Sequence, residues 1–265
     1  MSVRVRPALV VWTLAAREWV RFVRQRNRVL GAIGQPLLFW LLFGAGLHGS
    51  FQLSAGGQNY LEYFFPGTLV LILLFTSIFA TISIIEDRRE GFLQSVLVAP
   101  APRWAMVVGK LLGGTLIALA QGLLFLLLAL PLGLRFGALQ LGSIVMFVFV
   151  LSFALTALGF LLAWRMDSTQ GFHAVMSVFL MPMWLLSGAF FPADSAWLAW
   201  LMRLNPLTYG VAGVRRLLYW GQSDAALPPG LPSMSVCWAV TLLFSMITFA
   251  ACWKIAGRRT TGDLL

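Results

Sequence analysis

The sequence predicts an all-α polytopic membrane protein, and two observations carry that prediction. The first is composition: 60% of the residues are apolar, the mean hydropathy is +0.86 and only 11% of the residues are charged, whereas soluble domains have about a quarter of their residues charged. The second is length, because several uncharged runs reach about twenty residues, enough to cross a hydrocarbon core about 30 Å thick. A backbone in lipid must satisfy its own hydrogen bonds and these runs are too long for barrel strands, so we expect helices.

Six runs are predicted to cross the membrane. They cover about residues 29–47, 63–85, 111–133, 141–164, 171–191 and 233–253, within a transmembrane domain over residues 29–265. The first, second and fifth runs contain Pro36, Pro66 and Pro182, which can kink a helix or serve packing alone. At the beginning of the third run, Gly109 and Gly113 have the spacing of a close helix contact, but that spacing is common by chance in glycine-rich spans.

Residues 1–28 are predicted to form a cytoplasmic tail with an amphipathic helix on the membrane surface. Aromatic and aliphatic residues alternate here with Arg17, Arg21 and Arg24 in helical order. This pattern is typical of an interfacial helix that buries its apolar face and turns its arginines toward lipid headgroups. A disordered basic tail is the alternative.

The distribution of lysine and arginine predicts the orientation. Fifteen of the 19 cationic residues lie in the N-terminal tail, in the connections after the second and fourth spans, and in the C-terminal tail. Cytoplasmic connections carry such an excess, so both termini are predicted to be cytoplasmic. Orientation and contact with anionic lipid also explain the net charge of +10, and we expect no nucleic acid partner.

The connection after the second span has the densest mixed charge in the chain, Glu-Asp-Arg-Arg-Glu at residues 86–90. We predict a short amphipathic helix over residues 88–99, because Phe92, Leu93 and Leu97 share one helical face and Pro100 ends the helix. Charges of alternating sign suit docking on a protein surface. An ordinary interfacial loop is the alternative.

Residues 192–222 are too polar in their middle to cross the membrane, although they are rich in tryptophan and leucine. The Asn205-Pro206 pair divides them, because proline disfavours helix in the residue before it. We therefore predict two short re-entrant helices before the last span, with their aromatic residues at the membrane interface. A seventh crossing is disfavoured because it would put the basic C-terminal tail on the outer side.

Two segments resemble a known family. In the mixed-charge connection the matching residues, in order, are Glu90-Gly91, Leu93, Leu97, Pro100, Arg103 and Gly109-Lys110. Residues 204–218 contain an Asn-Pro pair and end in arginines before hydrophobic residues. Both segments resemble the type-2 ABC exporter permeases, the membrane subunits of ATP-driven exporters of drugs, polysaccharides and lipid-linked glycans. The likeness covers nearly the whole chain, although Gln94 stands where many members carry glutamate.

The resemblance implies a set of partners and contact residues. Two permeases, as a homodimer or a heterodimer, would pair with two ABC ATPase subunits in a bacterial inner membrane. The expected ATPase-coupling residues are Glu90, Gly91, Phe92, Leu93, Leu97, Pro100 and Arg103. Arg17, Arg21 and Arg24 would make a second contact, with the ATPase or with the membrane. Asn205, Pro206 and Arg215 mark the re-entrant motif.

The ATP chemistry is expected on the partner. Gly109-Lys110 lacks the earlier glycine and the following hydroxyl residue of a phosphate loop, so ATP and Mg²⁺ would bind the ATPase, and we expect no cofactor or metal on this chain. The substrate path would run between the permeases, lined by the first, second and fifth spans. A drug-like, hydrophobic or amphiphilic solute is favoured, and a polysaccharide or lipid-linked glycan is the alternative.

A membrane enzyme and an ion-coupled transporter are the alternative classes. His173 and Ser187 lie on one span fourteen residues apart, so they cannot meet as base and nucleophile, and we predict no catalytic residue. Ion-coupled transporters carry ionisable residues inside the membrane. Here the polar groups of the spans are mainly Gln35, Gln121 and His173, which disfavours ion coupling.

Overall fold

The computed structural model describes residues 6–46, 60–190, 195–221, 227–228 and 230–257, without the side chains of residues 26–28. Every regular element in these ranges is a helix. Parts of the predicted tails, spans and short helices lie outside the described residues: residues 1–5, 47, 191–194, 222 and 258–265.

The described chain contains eleven α-helices. They are α1 (Pro7–Arg24), α2 (Arg26–Gly46), α3 (Tyr60–Arg89), α4 (Phe92–Val98), α5 (Arg103–Leu126), α6 (Ala138–Trp164), α7 (Thr169–Val175), α8 (Met181–Trp184), α9 (Ala196–Leu204), α10 (Pro206–Leu218) and α11 (Met234–Gly257). A 3₁₀ turn, Leu127–Ala129, extends α5, and π turns at Met176–Leu180 and Leu185–Ala189 follow α7 and α8.

Six helical stretches of the described chain are long and apolar enough to cross a membrane. They are Val29–Gly46, Tyr60–Arg89, Arg103–Ala129, Ala138–Trp164, Thr169–Ala189 and Met234–Gly257. This confirms the predicted fold class. The stretches overlap the predicted spans but several are longer, because a helix continues beyond the hydrocarbon core wherever its backbone remains hydrogen-bonded.

The central helix of the bundle is α3, which packs against α2, α5 and α6. It is apolar on all sides and almost completely buried, as expected for a helix surrounded by other helices. Its 30 residues correspond to about 45 Å at 1.5 Å per residue, longer than a bilayer core of about 30 Å. The charged residues at its C-terminal end therefore lie beyond the apolar layer.

The amphipathic helix α1 lies along α5 in close backbone contact. A Cβ atom on Gly109 would lie 2.9 Å from Leu14 Cβ and 3.0 Å from Val11 O, and one on Gly113 would lie 2.7 Å from Glu18 Cβ. Only a residue without a side chain allows this approach. The Gly109–Gly113 spacing is therefore a real helix contact and not a chance occurrence.

The fifth membrane stretch, Thr169–Ala189, is interrupted. It contains Pro182 between its two π turns, and its helical geometry breaks at Gly188, which has φ +74°, a conformation that glycine adopts without strain. The indole of Trp184 donates to the Gly67 carbonyl at 2.9 Å. This hydrogen bond ties the broken end of the stretch to α3.

Both ends of the described chain lie at one end of the bundle. Arg103, which begins α5, donates to the carbonyl of Ala256 near the end of α11 at 3.0 Å, and α1 packs on the same α5. At the opposite end, α9 and α10 pack near the broken end of the fifth stretch and the beginning of α3. These are the two short helices predicted before the last span.

Candidate functional site

A buried cluster of charged side chains joins α1, α3 and α5 at the end of the bundle that holds both chain ends. The ammonium group of Lys110 contacts the carboxylates of Glu18 and Asp87, and all three residues are buried. Buried charges persist only when they are paired. The cluster therefore links α1, α3 and α5 through buried ion pairs.

Two arginines of α1 complete this cluster. Arg17 makes a bidentate pair with Asp87, at 3.0 and 2.7 Å, and Arg21 reaches Asp87 at 2.6 Å and Glu86 at 2.9 Å. The hydrogen bond to Asp87 is the main cause that raises the pKa of Arg17 above its ordinary value. The guanidinium groups of these two arginines are thus directed to the carboxylate of Asp87 in the bundle and not, as expected, to lipid headgroups.

The short helix α4 is fastened to this cluster. The guanidinium of Arg17 lies 3.7 Å above the Phe92 ring, and Arg21 Nη2 lies 3.4 Å from Glu90 Oε1. On the other side Leu93 is buried in the bundle. Residue Gly91, with φ +75°, separates α3 from α4. For that reason α4 begins at Phe92 and not at residue 88, and Arg88 and Arg89 belong to the end of α3.

The predicted coupling residues differ in their exposure to solvent. Glu90 and Pro100 are exposed, and the Glu90 side chain is 59% exposed. Leu93 is buried, and Phe92 and Leu97 are half-buried against the bundle, so they hold α4 in place. The half-buried Arg103 bonds the end of α11. Arg24 is the one exposed member of the three α1 arginines.

Sequence reasoning missed four residues of this region. Val98, 78% exposed, is the main apolar side chain on the outer face of α4. Glu18, Asp87 and Lys110 form the centre of the cluster. One signal was present, because Glu18 is the only acidic residue before Glu62 in a strongly basic segment. An acid in that position indicates a buried cationic partner.

The re-entrant motif lies at the opposite end of the bundle. Asn205 caps α10 by accepting from the Leu207 N–H at 3.0 Å, and its amide donates to the carbonyls of Met183 and Leu186 in the interrupted stretch. Pro206 is the first residue of α10, where its missing N–H is no loss. Arg215 donates to the Tyr63 carbonyl at 3.0 Å. The motif thus joins α10 to α3 and to the fifth stretch.

The side chains considered for an enzyme do not meet. His173 is exposed and packs near Phe79, whereas the Ser187 hydroxyl is buried and donates to the Trp184 carbonyl. In the part of the chain that the structure describes, no group of three or more His, Cys, Asp or Glu side chains could hold a metal ion.

Comparison with known proteins gives a consistent result. The sequence profile of the ABC-2 type transporter family matches residues 10–219. The transport permease ycf38 of Cyanophora paradoxa is 30% identical over 214 residues, 78% of this chain and 73% of that protein. The inner membrane transport permease YadH of Escherichia coli K12 is 27% identical over 262 residues, 93% of this chain and 96% of that protein. The probable multidrug ABC transporter permease YbhR of the same strain is 26% identical over 160 residues, 57% of this chain and 42% of that protein. The chain therefore belongs to the ABC-2 type transporter family, as a membrane-spanning permease subunit that associates with an ABC ATPase.

Proposed function

We propose that this chain is the permease of an ATP-driven exporter and that α4 is the surface on which its ATPase partner acts. The observation that supports this is the position of α4. One face is fixed to the bundle through Leu93 and to α1 through Phe92 and Arg17, and the other face is exposed. A short helix held in this way can be displaced by the ATPase while it remains attached to the bundle.

The charged cluster offers a route by which such a push reaches the membrane helices. Arg17 contacts Phe92 of α4 on one side and Asp87 of α3 on the other, and Asp87 contacts Lys110 of α5. Bidentate and buried ion pairs hold a fixed geometry. Movement of α4 would therefore move α1, α3 and α5 together.

The orientation of the permease follows from charge. In the proposed arrangement the end of the bundle with α4, the charged cluster and both chain ends faces the cytoplasm, in agreement with the excess of lysine and arginine there. The membrane is the bacterial inner membrane, as the name of the relative YadH indicates for that protein. ATP and Mg²⁺ would bind the ATPase, and this chain would carry no ATPase site of its own.

The substrate path is proposed to lie between two copies of the chain. Apolar residues of α2 and of the fifth stretch face outward, among them Leu38, Leu42, Val178 and Phe179, and a second copy would cover this side. A cavity of about 190 Å³ lined by α2, α3 and the fifth stretch contains Phe75, Phe79, Gln35 and His173 among its lining residues. Its mostly apolar wall supports a drug-like, hydrophobic or amphiphilic substrate, and the relative YbhR is named for multidrug transport. A polysaccharide or lipid-linked glycan is the alternative substrate.

The contact between α4 and the ATPase can be tested with Val98→Asp. Val98 is 78% exposed on the outer face of α4, so the substitution leaves the fold intact but places a charge in the proposed apolar contact. We expect copurification with its ABC ATPase partner to fall roughly tenfold or more, since a buried unpaired charge costs at least about 1.4 kcal/mol.

A matched control exists at the other end of the bundle. Leu139 is the second residue of α6 and is 77% exposed, and Gln140 beside it bonds the end of α10. Leu139→Asp should leave the association unchanged. If Val98→Asp copurifies with the ATPase as well as Leu139→Asp does, α4 is not the ATPase contact and the proposal is wrong.

Charge reversal at Glu90 tests the electrostatic part of the same contact. The Glu90 side chain is 59% exposed and has only a long contact, 3.4 Å, with Arg21. We expect Glu90→Lys to weaken association several-fold at low salt and less at high salt, because screening reduces interactions between exposed charges. The measurement is the dissociation constant at two ionic strengths. Equal weakening at both would mean that Glu90 acts through the structure of the loop instead.

A further inference from the structure

Arg215 is a buried cation at the end of the bundle opposite the charged cluster. It is only 3% exposed. Its Nη2 donates to the Tyr63 carbonyl, and its guanidinium lies 4.2 Å from the centre of the Tyr63 ring. Its Nε atom is buried and has no hydrogen-bond partner among the residues that the structure describes. A buried guanidinium in this state is unusual, because burying a charge is unfavourable unless the charge is paired.

Among the described residues Arg215 forms no ion pair. Glu62, the acidic residue beside Tyr63, is half-buried but makes no ion pair with it. A carbonyl oxygen and an aromatic face stabilise a cation but do not neutralise it. At the other end of the bundle, by contrast, the buried Lys110 has two carboxylate partners. Among the described residues, therefore, no carboxylate neutralises Arg215, and its charge is available to an anion.

A cavity leads to this guanidinium. It has a volume of about 180 Å³, smaller than the roughly 300–1,000 Å³ of pockets that enclose drug-sized ligands. A second cation, Arg203, and the residues Ser187 and Thr208 also line it. The cavity can take a small acidic group but not a whole drug molecule. The rest of the ligand would have to lie outside.

The depth of the cavity indicates which acidic group is available. Trp197 and Trp200 on α9 are exposed, and tryptophan concentrates at the headgroup level of membranes. Arg203 is on the same short helix. Arg215 bonds Tyr63, close to the first residue of α3. All of these place the cavity at the depth of phospholipid phosphates.

We propose that Arg215 and Arg203 form a binding site for a phosphate group in this cavity, and that the phosphate is that of an anionic phospholipid. The guanidinium of Arg215 binds one face of the phosphate, since arginine matches phosphate oxygens in a fork geometry. Arg203 closes the site from the surface. The site lies at the end of the bundle opposite the proposed ATPase contact.

The test uses the full purified chain in a neutral detergent. Dioleoyl phosphatidylglycerol, dioleoyl phosphatidylcholine and inorganic phosphate are each titrated, and binding is followed by native mass spectrometry and by the melting temperature. We expect phosphatidylglycerol to bind about tenfold or more tightly than phosphatidylcholine. Binding of inorganic phosphate alone would overturn the lipid as source, and no binding of either anion would overturn the site.

Variants separate a binding role from a structural role. Arg215→Met removes a buried charge that has no carboxylate partner among the described residues, so we expect an unchanged or higher melting temperature in phosphatidylcholine and loss of the preference for phosphatidylglycerol. A lower melting temperature with the preference retained would show that Arg215 only supports Tyr63. Arg203→Gln, at an exposed position, should weaken the preference without affecting folding, and it decides the question if Arg215→Met does not fold. Arg135→Gln, an exposed arginine outside the cavity, should bind as the unchanged chain does.

Discussion

Replacement of Lys110 by methionine is expected to reduce the free energy of unfolding by about 3–5 kcal/mol, the usual result of removing one partner of a buried ion pair. The Lys110 ammonium lies between the carboxylates of Glu18 and Asp87, and all three side chains are buried. Without the ammonium, two carboxylates face each other in a medium of low dielectric. The free energy of unfolding in mixed detergent micelles, followed by tryptophan fluorescence, measures the effect.

Two further variants show whether charge is the cause. Lys254→Met removes an exposed lysine near the end of α11, and we expect a change of no more than about 0.5 kcal/mol. Adding Glu18→Gln to Lys110→Met removes one of the two carboxylates left behind, and should restore part of the stability. If Lys110→Met is as stable as Lys254→Met, the cluster is not an ionised network and the route proposed from α4 to the bundle fails.

In the proposed coupling, the same cluster gives α1 a mechanical part beside its place on the membrane surface. Arg17 and Arg21 extend from α1 to Asp87, and Arg17 also covers Phe92. A helix held to lipid alone would slide along the surface when α4 is pushed. The arginines of α1 bind α3, and its backbone packs on α5. We therefore expect α1 to resist displacement when α4 moves.

Much of the architecture could be predicted from the sequence. The six crossings, the short helix after α3 and the two short helices before α11 all follow from patterns of hydropathy, charge and proline, since the membrane imposes a simple rule on segment length. The beginning of α4 was predicted four residues too early. Helical periodicity alone could not show that Gly91 adopts a positive φ and ends α3.

The charged cluster could not be predicted, because rules for membrane sequences count charges but do not pair them. An arginine on an amphipathic helix has the same sequence signature whether it faces a lipid phosphate or Asp87. Pairing depends on which helix packs beside which, and α1 packs on α5 through Gly109 and Gly113. That contact has the sequence signal of a common glycine spacing, so only the structure distinguishes it from chance.

Gly109→Leu is expected to separate α1 from α5 while leaving the six crossings intact. The new side chain would meet the backbone of Val11, with its Cβ 3.0 Å from Val11 O and 3.2 Å from Val11 Cα, and backbone atoms move only if the whole helix moves. Overpacking of this kind costs about 1–3 kcal/mol. Because the clash involves no charged residue, any loss of ATP-driven transport would come from the position of α1. We expect transport by the complex with its ATPase to fall roughly tenfold, as for about 1.4 kcal/mol lost from coupling.

Gly142→Leu is the matched control. Gly142 lies in α6, and a Cβ atom added there would have no neighbouring atom of the described chain within 4 Å. Spin labels at Thr13 on α1 and Leu116 on α5, both exposed, would report the distance between the two helices in each variant. A longer distance together with lost transport in Gly109→Leu alone would mean that coupling requires α1 to remain on α5. Full transport despite the longer distance would show that α4 drives the membrane helices without α1, through Leu93 and the end of α3, and would limit the charged cluster to a stabilising role.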